Sequence, residues 1–180
     1  MTNIFLKRFE NALEFCSLDE ESIILDIGCN IGDFLKLVRI TNPSCKCYGV
    51  DKKLIEEVEG CDIRIADGMN LPFSDNFFDK VVTLDVLEHI EDFIQVIKEI
   101  KRVLKPNGIV VISGPTESKF YKFCRFLWLH EITPGVMHHF TVYDNERGFT
   151  ESGFKLISRK TLPGFPFPSL FRINKYKNIK

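Results

Sequence analysis

Residues 23–32 read Ile-Ile-Leu-Asp-Ile-Gly-Cys-Asn-Ile-Gly, a short apolar run that contains one acid and leads into two glycines. The apolar run predicts a buried strand, and the apolar spacing of residues 31–40 predicts a helix directly after it. Glycine lets the backbone approach a ligand closely, and the first turn of a helix offers unpaired N–H groups with a partial positive charge. A strand, a glycine turn and a helix in this order are typical of a nucleotide or nucleoside site.

The spacing of the glycines distinguishes between kinds of nucleotide site. A dinucleotide site requires Gly-x-Gly-x-x-Gly, whereas here Asn30 stands at the second glycine position and Gly32 follows two residues later. A phosphate-binding loop is excluded because no Gly-Lys-Ser/Thr follows. Asp26, just before the turn, would repel a phosphate and suits a ligand that carries an ammonium group. S-adenosylmethionine is such a ligand.

Three more acids stand where predicted strands end. They are Asp51, Asp67 and Asp85. A carboxylate at the position of Asp51 can accept hydrogen bonds from both ribose hydroxyls, and Asp67 can accept one from the adenine amino group. Ligands of parallel sheets bind beyond the carboxyl ends of the strands, which is where these acids are expected to lie.

Together these residues resemble the class I S-adenosylmethionine-dependent methyltransferases, and most closely their small-molecule branch, called type 11. The resemblance covers roughly residues 20–115 and includes the Lys-Pro-Asn-Gly turn at 105–108, before a fifth strand. The family often carries glycine where this chain has Asn30. The resemblance implies a Rossmann-like methyltransferase fold with S-adenosylmethionine as the cofactor.

The resemblance also implies which residues bind the cofactor. They belong to the glycine turn and to the acids with their neighbours: Asp26, Gly28, Cys29, Asn30, Gly32, Asp51, Lys52, Asp67, Gly68, Met69, Asp85 and Val86. A general base is needed only if the acceptor must lose a proton, and histidine is the residue that titrates near neutrality. The candidate bases are His89, after the fourth strand, and His139, near the end of residues 114–140.

Apolar residues recur at helical spacing in four segments. The first helix is expected to cover either the cofactor or the sheet. In the third, the apolar stripe runs from Phe93 to Leu104, and Pro106 and Gly108 are expected to end the helix. The predicted helices cover residues 3–16, 31–40, 93–104 and 143–152.

Seven strands are predicted. The first five alternate with helices, and the last two follow the fourth helix. Alternating strands and helices predict a doubly wound α/β fold with a mostly parallel, seven-stranded sheet and an antiparallel C-terminal strand. We expect residues 1–180 to form a single domain. The predicted strands cover residues 23–27, 47–51, 62–68, 80–84, 109–113, 154–162 and 170–176.

Residues 114–140 differ in kind from the rest of the chain. Five aromatic residues and three cations fall within residues 119–128. Either a helix packs these rings on the core with its cations in water, or the segment caps the acceptor pocket in the long connection after the fifth strand. The second interpretation predicts a substrate-cap insertion at 114–140.

The amino-acid composition narrows the expected binding partners of the protein and its expected location in the cell. The net charge is −1, so nucleic acid is not an expected partner, and no segment of about 20 apolar residues or signal peptide is present. The six cysteines lack a CxxC pair or zinc spacing, which indicates reduced thiols in a soluble cytoplasmic protein and no metal site.

The C-terminal region is basic. No acid follows Glu151, although seven cations do. These cations are interpreted as a solvated edge that protects an edge strand. The alternative is contact with an anionic acceptor, or transient contact with an anionic membrane surface aided by Phe165, Phe167 and Phe171.

The predicted activity is methyl transfer to a small-molecule acceptor, which the resemblance implies is lipid-linked, sugar-derived or quinone-like. A nucleic-acid amino methyltransferase would carry Asn/Asp-Pro-Pro-Tyr/Phe where residues 85–88 read Asp-Val-Leu-Glu, and a cytosine-C5 enzyme would carry a Pro-Cys nucleophile. Two alternatives stay open: a partner subunit that binds S-adenosylmethionine without catalysis, and a methyltransferase that acts on protein or RNA.

Overall fold

The computed structural model describes residues 4–53, 56–116, 118, 121, 139–163 and 169–180. Within these ranges the α-helices are α1 (Ile4–Cys16), α2 (Asp33–Thr41), α3 (Phe93–Val103) and α4 (Val142–Glu151). The strands are β1 (Ile23–Ile27), β2 (Lys46–Asp51), β3 (Cys61–Ile65), β4 (Phe78–Leu84), β5 (Leu104–Pro115), β6 (Phe154–Leu162) and β7 (Phe171–Asn178). A 3-10 turn, Leu87–His89, follows β4.

The strands of the described ranges form one sheet in the order β3-β2-β1-β4-β5-β7-β6. Strands β1 to β5 pair in parallel, and β7 runs antiparallel to both β5 and β6. This topology confirms the predicted doubly wound sheet. The chain passes from β1 outward to β3 and returns to β4 on the other side of β1. The carboxyl ends of β1 and β4 therefore border the crevice in which such folds bind ligands.

Both faces of the sheet are buried at its central strands. Successive residues of a strand point to opposite faces, so Ile24 and Leu25 belong to different hydrophobic clusters although both are fully buried. One cluster joins the sheet to α1 and α2, and the other joins it to α3 and α4. Burial on both faces explains why apolar residues stand next to each other in β1 and at Val81 and Val82 of β4.

The boundary between α3 and β5 differs from the prediction. Helix α3 ends at Val103, and Leu104 is the first residue of β5 rather than the last apolar residue of the helix. Leu104 pairs with Phe78, and the register between β4 and β5 shifts before Lys80. Pairing with β4 carries the strand through the predicted turn, and helical periodicity contains no information about that contact.

Two other boundaries differ at the ligand-binding edge. Strand β3 ends at Ile65, so Asp67 lies beyond the strand and not within it. Helix α2 begins at Asp33 and not at residue 31, because Gly32 is its N-cap and has a left-handed φ of 74°. Both differences lengthen the loops that surround the crevice.

The predicted substrate cap lies largely outside the described residues. Gly114 and Pro115 are the last residues of β5 and are not part of an insertion. The Thr116 N–H donates to the Leu170 carbonyl at 2.9 Å, which ties the start of the segment to the chain just before β7. Within the ranges that the model describes, no helix is long and apolar enough to cross a membrane.

The β6–β7 hairpin carries most of the C-terminal cations. Glu146 of α4 neutralises two of them, accepting from Arg159 at 2.6 Å and from Arg172 at 2.8 Å. Lys155 and Lys177 lie opposite each other on the two strands. Strand β6 is an edge of the sheet, and its charged side chains disfavour pairing with a second chain.

Candidate functional site

The turn between β1 and α2 is built from left-handed residues. Gly28 and Gly32 have φ of 77° and 74°, and Asn30 between them has φ of 48°. The N–H groups of Gly28 and Cys29 both donate to the Val50 carbonyl, at 2.8 and 3.1 Å. The turn is therefore held against the carboxyl end of β2.

Gly28 has no room for a side chain. A Cβ at this position would lie 2.3 Å from Cγ2 of Val86, closer than two carbon atoms can approach. Val86 follows β4, so its contact with Gly28 brings the ends of β1 and β4 together. Any side chain at position 28 would therefore push Val86 away and change the shape of the crevice.

Asn30 preserves the turn without a glycine at this position. Asparagine is among the residues that best tolerate the left-handed conformation, so its φ of 48° needs no glycine. Its backbone N–H donates to Oδ2 of Asp51 at 3.0 Å. This hydrogen bond links the glycine turn to the acid at the end of β2.

Asp51 is fixed by backbone donors on both sides. Its Oδ2 accepts from Asn30, and its Oδ1 accepts from the N–H of Lys53 at 3.1 Å. A carboxylate has about four lone-pair sites, so two acceptor positions remain for a ligand. Asp51 lines the crevice, where these positions suit a pair of adjacent hydroxyls.

Two adjoining cavities occupy the crevice, with volumes of about 430 and 290 Å³. Gly28, Asn30, Asp85 and Val86 line both of them. The larger cavity is also lined by Ile27, Val50, Asp51, Lys52, Lys53, Ala66, Gly68, His89 and Ile90. The smaller cavity is also lined by Arg8, Phe9, Asp26, Cys29, Ile31, Asp33, Phe34 and Leu84.

Asp26 is the buried acid of the smaller cavity. Its relative exposure is 3%. Burial, followed by the negative charge of Asp51, raises the pKa of the Asp26 carboxyl from 3.8 to about 7. A cation placed in this cavity would favour the ionised carboxylate, so the position suits an ammonium group.

The free energy of unfolding should depend on Asp26 between about pH 4 and pH 7. Within this window the folded protein holds the Asp26 proton and the unfolded chain has released it, so stability falls as the pH rises. We expect Asp26→Asn to be more stable than wild type at pH 8. That advantage should shrink by about 2 kcal/mol between pH 7 and pH 5. Urea denaturation of both proteins measures the difference, and a pH-independent difference would contradict the prediction.

Asp67 lies at the rim of the larger cavity. Its Oδ1 accepts from the N–H of Met69 at 3.0 Å, and its Oδ2 contacts Nζ of Lys52 at 3.1 Å. The Met69 N–H, and then Lys52, hold the pKa of this carboxyl below its usual range. Ala66 and Gly68, on either side of Asp67, line the cavity. The acid therefore shapes the loop that borders the cavity.

The sequence analysis missed three charged residues that line the cavities, Arg8, Asp33 and Lys53. Arg8 of α1 lines the smaller cavity and forms an ion pair with Asp85. Asp85 has a left-handed φ of 58°, and its Oδ1 accepts from Oγ of Ser113 at 2.9 Å. The available signal was a cation at position 8, four residues before Ala12 on the buried stripe of α1.

The two histidines lie beside the same turn. His89 is exposed and lines the larger cavity. The backbone N–H of His139 donates to the Glu88 carbonyl at 2.8 Å, which places it next to His89. His139 is not one of the residues that line either cavity.

The structure brings most of the predicted site residues together. Those that line one or both cavities are Asp26, Gly28, Cys29, Asn30, Asp51, Lys52, Gly68, Asp85, Val86 and His89. Asp67 and Met69 lie next to lining residues. Gly32 lines neither cavity, because it packs against Val58, whose Cγ2 would lie 2.3 Å from a Cβ at this position. Gly32 is therefore placed to shape the turn rather than to contact a ligand.

The chemistry of the cavities fits S-adenosylmethionine. Asp51 presents acceptors for ribose hydroxyls, and Ile27, Val50 and Ile90 give the larger cavity apolar walls for a purine. Asp26 provides an acid for an ammonium group in the smaller cavity. Gly28 lies where the cavities meet, so a ligand that fills both can pass close to its backbone.

Comparisons with known proteins agree with this site. Residues 25–112 match the family model described as a methyltransferase domain. The demethylmenaquinone methyltransferase of Geobacillus sp. (strain WCH70) is 30% identical over 141 residues, which cover 68% of this chain and 60% of that protein. The tRNA (carboxymethyluridine(34)-5-O)-methyltransferase of Arabidopsis thaliana is 38% identical over 104 residues, which cover 54% of this chain and 25% of that protein.

A solved structure shows the same fold. The N-methyltransferase NodS from Bradyrhizobium japonicum WM9, in complex with S-adenosyl-L-homocysteine, superposes with a TM-score of 0.74 at 17% identity. The superposition covers 98% of this chain and 88% of that one. By contrast, the chain spans less than two thirds of the length of the two curated relatives named above.

Proposed function

This chain belongs to the class I S-adenosylmethionine-dependent methyltransferases, with S-adenosylmethionine as its cofactor, and on that basis we propose that its acceptor is a small molecule. The observation that supports the proposal is the wall of the larger cavity beyond Val86. There His89 and Ile90 line the cavity, and the chain continues into α3, whose first residue, Phe93, packs in the core against Phe140 with ring centroids 4.6 Å apart. An imidazole at the edge of the cofactor cavity suits a ring or lipid-linked acceptor that meets the cofactor at this edge.

Methyl transfer depends more on the relative position of the cofactor and the acceptor than on acid–base catalysis. When bound, S-adenosylmethionine supplies an electrophilic methyl group that already carries a good leaving group. The chain's task is to hold the two reactants in line and exclude water, an effect that can contribute about 7 to 11 kcal/mol. Asp51, Asp26 and the backbone at Gly28 are placed to fix the cofactor at three points.

His89 and His139 are both proposed as the general base for an acceptor that must lose a proton. The place of His89 on the cavity wall supports it as the group that contacts the acceptor. The hydrogen bond from the His139 N–H to Glu88 supports a role next to His89. Neutral imidazole would accept the acceptor's proton and pass it to water.

We expect His89→Ala to lower the turnover rate about 100-fold, a typical contribution of general acid–base catalysis, with unchanged affinity for the cofactor. His139→Ala, made in parallel, should have a smaller effect on turnover. Single-turnover rates with saturating cofactor separate the chemical step from binding. A His89→Ala protein with the wild-type rate would remove this side chain from the mechanism.

An acceptor screen tests the proposed function. The purified protein is incubated with S-adenosylmethionine labelled on its methyl group and with quinone-like, lipid-linked and sugar-derived compounds, each alone. We expect label in one of these classes. Transfer restricted to tRNA, which the Arabidopsis relative is named for, or to protein would contradict the proposal. Cofactor binding without transfer to any acceptor would instead support a non-catalytic partner subunit.

Two lysines of the basic hairpin, Lys155 and Lys177, do not support an anionic acceptor at this site. Lys177 pairs with Ile109 at the amino-terminal half of β5, and Lys155 lies beside Lys177. The cavities lie at the carboxyl ends of β1 and β4, at the opposite end of the strands from Lys177. These two lysines therefore lie away from the proposed acceptor position, and contact with an anionic membrane through the C-terminal region stays a prediction.

A further inference from the structure

Two cysteines lie side by side on neighbouring strands at the edge of the sheet. Cys47 of β2 and Cys61 of β3 are paired residues of the parallel ladder, so their side chains lie on the same face. Adjacent strands are about 4.8 Å apart, and the Cα atoms of a disulfide are about 4.4 to 6.8 Å apart. The two thiols are close enough for a hydrogen bond between them. Both are free thiols in the structure.

Cys61 is the accessible member of the pair. It is partly exposed and lines a cavity of about 640 Å³ beside β3, whereas Cys47 is only 3% exposed. Strand β3 is an edge of the sheet, so a small reagent reaches Cys61 from the open side. Glu57, Glu59 and Asp62 also line the cavity, and their charges favour an uncharged reagent over an anion.

An arginine of α2 lies beside the pair. Nη1 of Arg39 donates to the Cys45 carbonyl at 3.3 Å, and a Cβ at Gly60 would lie 2.9 Å from its Nε. The guanidinium therefore packs against the residue directly before Cys61. A nearby cation and a hydrogen bond to the sulfur both favour the thiolate, which is the reactive form of cysteine. The hydrogen bond from Cys47, and then Arg39, lower the pKa of the Cys61 thiol against the effect of burial.

The other described cysteines are buried and keep their protons. Burial raises the pKa of the Cys16 and Cys29 thiols to about 12, and it also raises the pKa of Cys45. The hydrogen bond with Cys61, and then burial, raise the pKa of Cys47. Cys61 therefore ionises first, and Cys47 keeps the proton that lies between the two sulfurs.

We propose that Cys61 and Cys47 form a peroxide-sensitive pair, in which Cys61 is the attacking cysteine and Cys47 the resolving cysteine. The Cys61 thiolate attacks one oxygen of hydrogen peroxide, and the O–O bond breaks. Cys61 becomes a sulfenic acid, and the hydroxide that leaves takes up the proton that Cys61 had lost. The Cys47 thiol then attacks the sulfenic sulfur, an S–S bond forms, and water leaves.

The reaction is balanced by hydrogen peroxide alone. Two thiols and one hydrogen peroxide give one disulfide and two waters, so the two sulfurs are oxidised and the peroxide oxygens are reduced. The disulfide joins the edge strand β3 to β2. An external thiol restores both cysteines by exchange. This property goes beyond methyl transfer and does not depend on the identity of the acceptor.

Peptide mapping of the full chain identifies the pair directly. The purified protein is treated with hydrogen peroxide, its remaining thiols are alkylated after denaturation, and it is digested with trypsin without reduction. Cleavage after lysine and arginine places Cys45, Cys47 and Cys61 in three separate peptides, which are residues 40–46, 47–52 and 54–64. Mass spectrometry then shows which peptides are joined and how fast each thiol is lost.

In wild type we expect peptides 47–52 and 54–64 to be joined by a bond that a reducing thiol breaks. Cys61 should react at least about 10-fold faster than Cys16 or Cys29, because each unit by which a pKa exceeds the pH lowers the thiolate fraction tenfold. The wild-type map requires no variant to fold, so it decides the proposal without one.

Two variants assign the roles of the cysteines. Cys47→Ser should leave Cys61 as a sulfenic acid, which dimedone traps, and should form no cross-link. Cys45→Ser is the matched control, because its hydroxyl can donate to the Asp19 carbonyl as the Cys45 thiol does at 3.3 Å. We expect this control to form the cross-link at the wild-type rate.

Three results would overturn the proposal. Peptides 47–52 and 54–64 that stay separate in oxidised wild type would show that Cys47 does not resolve the sulfenic acid. A disulfide from Cys61 to Cys124, which lies outside the described residues, or to Cys45 would identify a different partner. Equal rates of thiol loss at all cysteines of the folded protein would show that Cys61 is not activated.

Discussion

Gly28→Ala is expected to abolish measurable cofactor binding, with a loss of affinity of at least about 100-fold. Two costs coincide at this position. An alanine at φ of 77° is strained by about 1 to 2 kcal/mol, and its Cβ would lie 2.3 Å from Cγ2 of Val86. Val86 would have to move into the cavities that it lines, which removes space for the ligand and adds to the loss in stability. Calorimetric titration with S-adenosylmethionine and thermal denaturation measure the two effects.

Gly114→Ala is the matched control for this substitution. Gly114 lies near the end of β5, and a Cβ there would have ordinary contacts, the nearest being Cβ of Val142 at 3.6 Å. We expect its cofactor affinity to equal that of wild type. Retained affinity in Gly28→Ala would show that the ligand does not approach the backbone at this turn.

Asp51→Ala should lower the affinity for S-adenosylmethionine by at least about 100-fold. The substitution removes an ionised acceptor for two ribose hydroxyls, and each such hydrogen bond contributes about 1.5 to 3 kcal/mol. It also removes the acceptors of the Asn30 and Lys53 N–H groups, so the turn loses its link to β2. Calorimetric titration gives the dissociation constants.

Asp51→Asn separates the two contributions of this acid. The amide keeps the size of the side chain and one acceptor oxygen, so we expect a smaller loss of affinity than in Asp51→Ala. Asp62→Ala, on the exposed edge strand β3, is the control for removal of an acid and should bind as wild type does. Wild-type affinity in both Asp51 variants would place the ribose elsewhere.

The parallel sheet and its ligand-binding edge were predictable because their signals are local. Asp26 and Asp51 each lie at or near the end of an apolar run, and the order of runs and helices implies that these ends share one edge of the sheet. Asn30 could take the place of a glycine because its conformational tolerance is a property of the residue type. Each of these features can therefore be inferred from the residues next to it in the sequence.

Features that depend on distant contacts were not predictable in the same way. Leu104 continues a helical stripe in the sequence, and only its pairing with Phe78 places it in β5. Arg8 enters the site because α1 packs next to the end of β4, where Asp85 turns. Gly32 matched the family spacing, but the packing of Val58 decides its neighbours. Spacing identifies the residue types of a site, whereas tertiary packing decides which of them face the ligand.

The central claim is that the crevice between β1 and β4 binds S-adenosylmethionine through Asp51 and the glycine turn. Calorimetric titration of the wild-type protein with S-adenosylmethionine, with NAD as the control ligand, tests it most directly. We predict saturable binding of S-adenosylmethionine at one site per chain and no heat of binding with NAD. Absence of binding by S-adenosylmethionine, or equal binding of NAD, would contradict the account.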